Sequence, residues 1–326
     1  MAIPEQIRPH LRLPVIGSPL FIASTVDLVV EQCRGGVIGT FPAVNARPQA
    51  TLVDWITEIR ERLADAAVKD PTGPIAPFGV NQVMGALNDR WEADLATIVR
   101  ERVPLIISSL RAPPKEIIDE VHRYGGLVFH DVTTLRHARK AASMGVDGLI
   151  LVAAGAGGQG GDRSPFALIN EVRAFFDGVI ILAGAISTGR DVLAAQAMGA
   201  DMAYLGTRFL AAAESGAAGV HKRDVIESRA EDIIYTNIFT GIYGNYLKRT
   251  LVAAGLDLDN LPTYGPATAK YQRLASGEIK VWKDIRGCGH GCGSIDRIES
   301  TADIINVLAS QYQAAVANLR HQTFAL

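Results

Sequence analysis

Eight short apolar runs, rich in valine and isoleucine, recur through the first 210 residues of this 326-residue chain. Amphipathic stretches with helical spacing separate them. The runs lack strict alternation of polar and apolar residues, which is typical of strands buried on both faces of a parallel sheet. Eight strand–helix units favour an α/β fold of the (β/α)8 TIM-barrel type over a doubly wound sheet, which shares the local pattern. The runs are 13–20, 36–41, 75–83, 105–110, 127–132, 148–153, 179–184 and 202–210.

The strand rhythm stops after residue 210. Residues 217–261 carry a polar-faced pattern that predicts helices, with four aromatic residues clustered between Tyr235 and Tyr246. Apolar positions over 300–319 predict a final helix that packs on the barrel wall. We therefore predict a barrel over 1–216, a small helical and loop domain inserted after strand 8 over 217–299, and a C-terminal helical segment over 300–326.

Composition limits the partners and the compartment. With 32 basic and 34 acidic residues the net charge is −2, which argues against nucleic acid or an anionic membrane as a partner. Three cysteines fit a reducing compartment. Charged residues interrupt the N-terminal segment, and no apolar run approaches the ~20 residues of a membrane helix. We expect a soluble cytoplasmic protein.

A glycine-rich segment, 152–164, follows the sixth predicted strand and leads into Ser164-Pro165, which reads as a helix cap followed by proline. Glycine has no Cβ, so its backbone can approach a planar or anionic ligand closely. A strand, a glycine loop and a capped helix together are the usual frame of a phosphate or cofactor site. A mobile linker is the alternative interpretation.

Catalytic and binding groups of a (β/α)8 barrel lie at the C-terminal ends of its strands. Small residues follow strands 7 and 8, which predicts a phosphate site built from backbone N–H groups, although tight turns would have the same sequence. A phosphate there and a glycine wall on strand 6 fit flavin mononucleotide (FMN), with its ring over the barrel mouth. The predicted FMN-binding residues are Ser18, Pro19, Leu20, Asn81, Asp131, Gly157, Gly158, Ala183, Gly184, Ala185, Gly206 and Thr207.

Several motifs, taken together and in order over nearly the whole chain, resemble the nitronate monooxygenase family, formerly called 2-nitropropane dioxygenases. They are the glycine loop, 78–81, 181–184, 205–210 and Trp282-Lys-Asp with the turn after it. The resemblance implies an FMN-dependent TIM-barrel oxidoreductase that oxidises alkyl nitronates with O₂ to a carbonyl compound and nitrite. Related enzymes of this fold include flavin-dependent quinone reductases and enoyl reductases.

The chain departs from the family at Gln159, where the family loop carries a histidine proposed as the catalytic base. An amide cannot accept a proton at neutral pH. A nitronate is already an anion and needs no base, so we expect neutral nitroalkanes to be poor substrates. Gln159 remains a candidate hydrogen-bond donor to the substrate.

Two histidines are further catalytic candidates. His130 ends strand 5, although a structural histidine satisfied by backbone fits equally well. His290 lies in a Cys-x-His-x-Cys segment, which lacks the fourth ligand of a zinc site, so we predict no metal and a glycine-rich turn near the cofactor. The remaining histidines, His10, His122, His137, His221 and His321, are expected on the surface. Arg111 follows strand 4, as an anion contact or a surface residue.

Three functions remain open from sequence. The first is nitronate oxidation with O₂, the second is NAD(P)H-dependent reduction of a quinone or enoyl thioester, and the third is a non-catalytic flavin-binding barrel. An apolar mouth predicts a small-molecule substrate with an apolar body. The predicted mouth residues are Leu20, Phe21, Met84, Val152 and Tyr243. The aromatic patch over 235–246 suits either a lid on the pocket or a subunit contact in a homo-oligomer.

Overall fold

The computed structural model describes residues 3–85, 88–261 and 280–321. Its centre is an eight-stranded parallel sheet. The strands are β1 Val15–Gly17, β2 Thr40–Pro42, β3 Gly79–Val83, β4 Leu105–Ser109, β5 Leu127–Val132, β6 Gly148–Val152, β8 Val179–Ala183 and β9 Met202–Leu205, with β7 Gly158–Gln159 in a second sheet. Each predicted run overlaps one of the eight barrel strands; seven strands lie within their runs, and β2 extends one residue beyond the run 36–41.

The sheet closes between its first two strands. β1 pairs with β9 on one side, and on the other a parallel bridge joins Ile16 to Ile38, just before β2. Gly17 N donates to the Ile38 carbonyl at 2.8 Å, and Ile38 N donates to the Val15 carbonyl at 3.1 Å. The prediction of a (β/α)8 barrel is confirmed.

Helices surround the barrel, and several begin at a capping threonine, such as Thr134 and the Thr188–Asp191 capping box. They are α1 Val26–Arg34, α2 Thr51–Lys69, α3 Trp91–Arg100, α4 Lys115–Arg123, α5 Leu135–Met144, α6 Pro165–Arg173, α7 Gly189–Ala197, α8 Thr207–Leu210, α9 Gly219–Ile226, α10 Lys248–Ala253 and a C-terminal helix Thr301–His321. Over the described ranges, none of them combines the length and apolar character needed to span a bilayer.

The C-terminal helix packs on α7. Gly189 N donates to Gln311 Oε1 at 2.9 Å, and a Cβ on Gly189 would overlap the Leu308 carbonyl oxygen. Glycine at the start of α7 therefore lets the two helices approach closely.

Alternate residues along each strand divide the apolar residues into two layers. Leu127 and Phe129 of β5 point into the barrel interior with Ile107 and Ile181, whereas Val128 belongs to the layer between strands and helices. Because strand side chains alternate with a period of two, the parity of a residue decides which layer it enters. At the end of β5, the same rule turns Asp131 toward the barrel interior and His130 away from it.

The prediction of helices throughout 217–261 is wrong over its middle part. Ile233–Thr236 forms β10 and Gly244–Leu247 forms β11, an antiparallel pair that also holds β7. β10 is rich in β-branched and aromatic residues, which favour strands once a pairing partner is present. β11 begins with Gly244 and Asn245, which are disfavoured in strands, so its form depends on pairing with β10 and β7. The β7 partner of β11 lies in the glycine loop, distant in sequence. The proposed division into three segments stays a prediction.

Candidate active site

A cavity of about 760 Å³ opens at the C-terminal ends of the barrel strands. Its walls come from these strand ends and from the segment that carries the small sheet. All twelve predicted FMN-binding residues and Gln159 line the cavity: Ser18, Pro19, Leu20, Asn81, Asp131, Gly157, Gly158, Gln159, Ala183, Gly184, Ala185, Gly206 and Thr207. The structure therefore brings these residues together at one site.

The wall that follows β8 and β9 is built for close approach of the backbone. Gly184 has φ +137°, and a Cβ there would lie 2.7 Å from the Ala154 carbonyl oxygen. Thr207 Oγ1 accepts a hydrogen bond from Gly289 N at 3.0 Å, which joins this wall to the 280–295 segment. Ser187 Oγ is buried without a hydrogen-bond partner. Such an unpaired hydroxyl beside glycine backbone suits an anionic group.

The glycine loop is fixed by the small sheet. Gly158 and Gln159 pair with Asn245 and Gly244 of β11. Asn245 Nδ2 also donates to the Ala156 carbonyl at 2.6 Å, and Tyr235 OH donates to the Gly160 carbonyl at 3.0 Å. These contacts favour the ligand-loop interpretation over the mobile linker.

Four polar side chains, Asn81, Ser109, Asp131 and Tyr204, form the polar floor of the cavity. Asn81 Nδ2 donates to Ser109 Oγ at 2.7 Å, and Ser109 Oγ donates to Asp131 Oδ2 at 2.5 Å. Burial raises the pKa of Asp131 from 3.8 to about 6, against the opposing effect of the Ser109 hydrogen bond. Asp131 Oδ1 and Tyr204 OH are both buried without a hydrogen-bond partner.

Comparison with known proteins identifies the family to which the chain belongs. Residues 37–311 match the family model of nitronate monooxygenase. The chain belongs to the nitronate monooxygenase family.

The individual relatives carry the names of several different enzymes. A nitronate monooxygenase of Neurospora crassa is 27% identical over 66% of this chain and 64% of its own. A Rhodococcus jostii octahydro-indene-carboxyl-CoA dehydrogenase is 30% identical over 58% of this chain and 53% of its own. A nitroalkane oxidase from Streptomyces ansochromogenes superimposes with a TM-score of 0.74, at 25% identity over 94% of this chain and 97% of its own. The match spans about half the length of two of the curated relatives, 52% for a probable nitronate monooxygenase of Staphylococcus haemolyticus and 53% for the Rhodococcus jostii dehydrogenase.

The structure does not support His130 as a catalytic residue of this family member. Its parity on β5 turns the side chain outward, away from the cavity, and its Nδ1 hydrogen-bonds with Ser108 Oγ at 2.8 Å. Burial lowers the pKa of His130 from 6.5 to about 4, which keeps the imidazole neutral. These contacts favour a structural role for His130 over a catalytic one.

His290 is also outside the cavity lining, although Gly289 and Gly291 on either side belong to it. Its side chain is exposed, and its backbone N–H donates to the Gly155 carbonyl at 2.9 Å. Cys288 and Cys292 are both buried. In the part of the chain that the structure describes, no three His, Cys, Asp or Glu side chains are grouped to hold a metal ion.

His221 was expected on the surface, and this expectation is wrong. It lines the cavity from α9, and its Nε2 donates to the Gly287 carbonyl at 2.9 Å. Burial lowers the pKa of His221. Sequence patterns missed it because its partner lies 66 residues away in the chain.

The predicted mouth is partly correct. Leu20, Phe21 and Val152 line the cavity, whereas Met84 is buried below the surface and Tyr243 stacks on Tyr235 with ring centroids 4.9 Å apart. Arg111 does not line the cavity, whereas Arg47 does. Further lining residues are Ser187, Tyr204, Trp282 and Cys288, of which Trp282 lies in the family-like motif and Cys288 in the Cys-x-His-x-Cys segment.

Proposed function

We propose that the chain binds FMN in this cavity and uses it to oxidise alkyl nitronates with O₂, which yields a carbonyl compound and nitrite. The observation that carries the proposal is the lining itself. Two glycine-rich walls and a floor with unpaired buried oxygen atoms offer a planar, phosphate-bearing cofactor both close approach and hydrogen-bond partners. The family match supports the same cofactor and reaction.

The residues present fit FMN in three groups. The backbone around Ala185 and Gly206, with the Ser187 hydroxyl, would hold the phosphate. Gly157 and Gly158 would flank the ring. A Cβ on Gly157 would lie 2.7 Å from Gly289 N, and Gly158 has φ +70°, so the backbone here is held in a form that favours glycine at both positions. Bound FMN would take electrons from the substrate and pass them to O₂.

The remaining lining residues would act on the substrate. Leu20, Phe21 and Val152 would hold its alkyl body away from water. The Gln159 amide can donate a hydrogen bond to a nitro oxygen, but it cannot remove an α-proton. This division suits a substrate that arrives already ionised, as nitronates do.

A direct test loads the purified protein with FMN and supplies propyl-2-nitronate in air. We expect one FMN per chain, and O₂ consumption accompanied by nitrite and acetone. Omission of FMN is the control. A protein that binds no FMN, or that carries FMN yet forms no nitrite, would contradict the proposal.

A second candidate is NAD(P)H-dependent flavin reduction with an enoyl thioester or a quinone as acceptor. The similarity to the carboxyl-CoA dehydrogenase of Rhodococcus jostii favours a thioester over a quinone. Bleaching of the flavin by NADPH but not by nitronate would support this candidate. Bleaching by neither would leave the third function, a non-catalytic flavin-binding barrel.

We also propose the cellular compartment of the protein and its assembly. We infer a cytoplasmic protein from the reducing compartment that its unpaired cysteines suit. Tyr235 and Tyr243 are 36% and 45% exposed, which leaves them accessible to a second copy in a homo-oligomer. A measurement of the protein's size in solution tests whether it forms a homo-oligomer.

A further inference from the structure

The described residues that line the cavity include five ionisable side chains. They are Arg47, Asp131, Tyr204, His221 and Cys288. Asp131 is the acid among them, and it stands on the polar floor inside the barrel. Tyr204 faces the same floor, but burial raises its pKa well above 10, so it stays neutral.

A directed chain of hydrogen bonds orients the Asp131 carboxyl group. Asn81 Nδ2 can only donate, so Ser109 Oγ accepts from it and must direct its own proton to Asp131 Oδ2. The second carboxyl oxygen, Oδ1, is buried and has no partner. The protein thus fixes one oxygen of the carboxyl group and leaves the other for whatever occupies the cavity, or for a proton.

No cation balances this carboxyl group among the described neighbours on the floor. Its neighbours Asn81 on β3, Ser109 on β4 and Tyr204 on β9 are uncharged side chains at neutral pH. Arg47 lies at the mouth, where its Nε donates to the Val44 carbonyl at 2.9 Å. The negative charge of an ionised Asp131 would therefore act on a bound flavin ring with no nearby positive charge on the floor to offset it.

We propose that Asp131 sets the reduction potential of the bound flavin, lowering the potential when it is ionised and releasing that effect when it is protonated. The proposal rests on the FMN site proposed above. Reduction adds electrons to the ring, and a nearby negative charge in a poorly solvated site opposes this addition. Reduction would then be accompanied by proton uptake at Asp131.

The pH range follows from the environment of the carboxyl group. Burial raises the pKa of Asp131 to about 6, so its charge is present above that pH and lost below it. The Ser109 hydroxyl favours the ionised form. Removal of this hydroxyl should therefore move the transition to higher pH, which gives the proposal a second, directional consequence.

The experiment measures the flavin potential of the FMN-loaded protein between pH 5 and 8, by anaerobic reduction against a reference dye. We compare the wild type with Asp131→Asn, Ser109→Ala and the adjacent but outward-facing His130→Gln as a matched control. At pH 7.5 we expect the ratio of reduced to oxidised flavin, at a fixed potential, to be about 10-fold higher in Asp131→Asn, equivalent to about 1.4 kcal/mol. The wild type should show a break near pH 6 that Asp131→Asn lacks, Ser109→Ala shifts upward and His130→Gln retains.

An Asp131→Asn protein with the potential and pH dependence of the wild type would overturn the role of Asp131 and leave the proposed function intact. A wild type that binds no FMN would overturn both. Should Asp131→Asn fail to fold or to hold FMN, the wild type and Ser109→Ala still decide. A wild-type potential without a break near pH 6, or a break that Ser109→Ala leaves in place, would contradict the proposal.

Discussion

Gln159 stands where the family histidine is expected, and strand pairing fixes the backbone of this residue beside the cavity. Its backbone pairs with Gly244, and the side chain lines the cavity. We predict that Gln159→His gains turnover of neutral 2-nitropropane, by about 10²-fold where the geometry permits proton transfer, because imidazole accepts the α-proton. The gain should grow as pH rises through the histidine pKa of about 6.5. Initial rates of nitrite release from the neutral and the ionised substrate measure it.

Gln159→Asn is the matched control, because it keeps an amide and adds no base. It should leave neutral 2-nitropropane nearly inert. If the wild type turns over the neutral substrate as fast as the nitronate, a base other than residue 159 serves the reaction.

Asn81 is the residue that organises the polar floor. It is buried, and its Nδ2 donates both to Ser109 Oγ and to the Ile107 carbonyl at 3.1 Å. We predict that Asn81→Ala weakens FMN binding by about 1–3 kcal/mol, because it leaves buried acceptors unpaired. Fluorescence titration with FMN measures the loss. Asn306→Ala, at an exposed partner of Arg12, should leave the affinity unchanged.

At the scale of elements, the small sheet acts as a brace for the glycine loop. Tyr235 OH donates to Gly160, while Tyr243 contributes a stacked ring beside it. We predict that Tyr235→Phe weakens FMN binding by about 0.5–1.5 kcal/mol and speeds amide hydrogen exchange over 155–161, because one hydrogen bond to the loop is lost. Tyr243→Phe keeps its ring and should change neither quantity. Equal effects of the two substitutions would refute the bracing role of the Tyr235 hydroxyl.

The secondary-structure elements also show which parts of the fold can be predicted from the amino-acid sequence. The barrel strands were predictable because each is a local apolar run bounded by helix signals. β7 was not, because it has two residues and its pairing depends on a distant segment; Asn245 and Ala156, which its sheet brings together, are 89 residues apart. His130 and Asp131 were both placed at the end of β5, but only the register of the barrel decides that Asp131 faces the cavity and His130 the helices.

At the scale of the whole molecule, His130 couples folding to pH. Its folded pKa of about 4 lies below the ordinary value of 6.5, so the unfolded chain binds more protons between these values. Its contribution to stability is therefore complete above about pH 6.5 and is lost as pH falls toward 4. We predict that the free energy of unfolding of the wild type, relative to His130→Gln, rises by about 3 kcal/mol from pH 4 to 7. Urea unfolding of the cofactor-free proteins at each pH measures it, and a pH-independent difference would contradict the assignment.

The most direct test of the whole account is one anaerobic mixing experiment. The FMN-loaded protein is mixed with propyl-2-nitronate, NADH or NADPH in separate syringes, and the flavin absorbance near 450 nm is followed without O₂. We predict that the nitronate bleaches the flavin rapidly and that air restores the colour with release of nitrite. Bleaching by NADH or NADPH while the nitronate leaves the spectrum unchanged would contradict it.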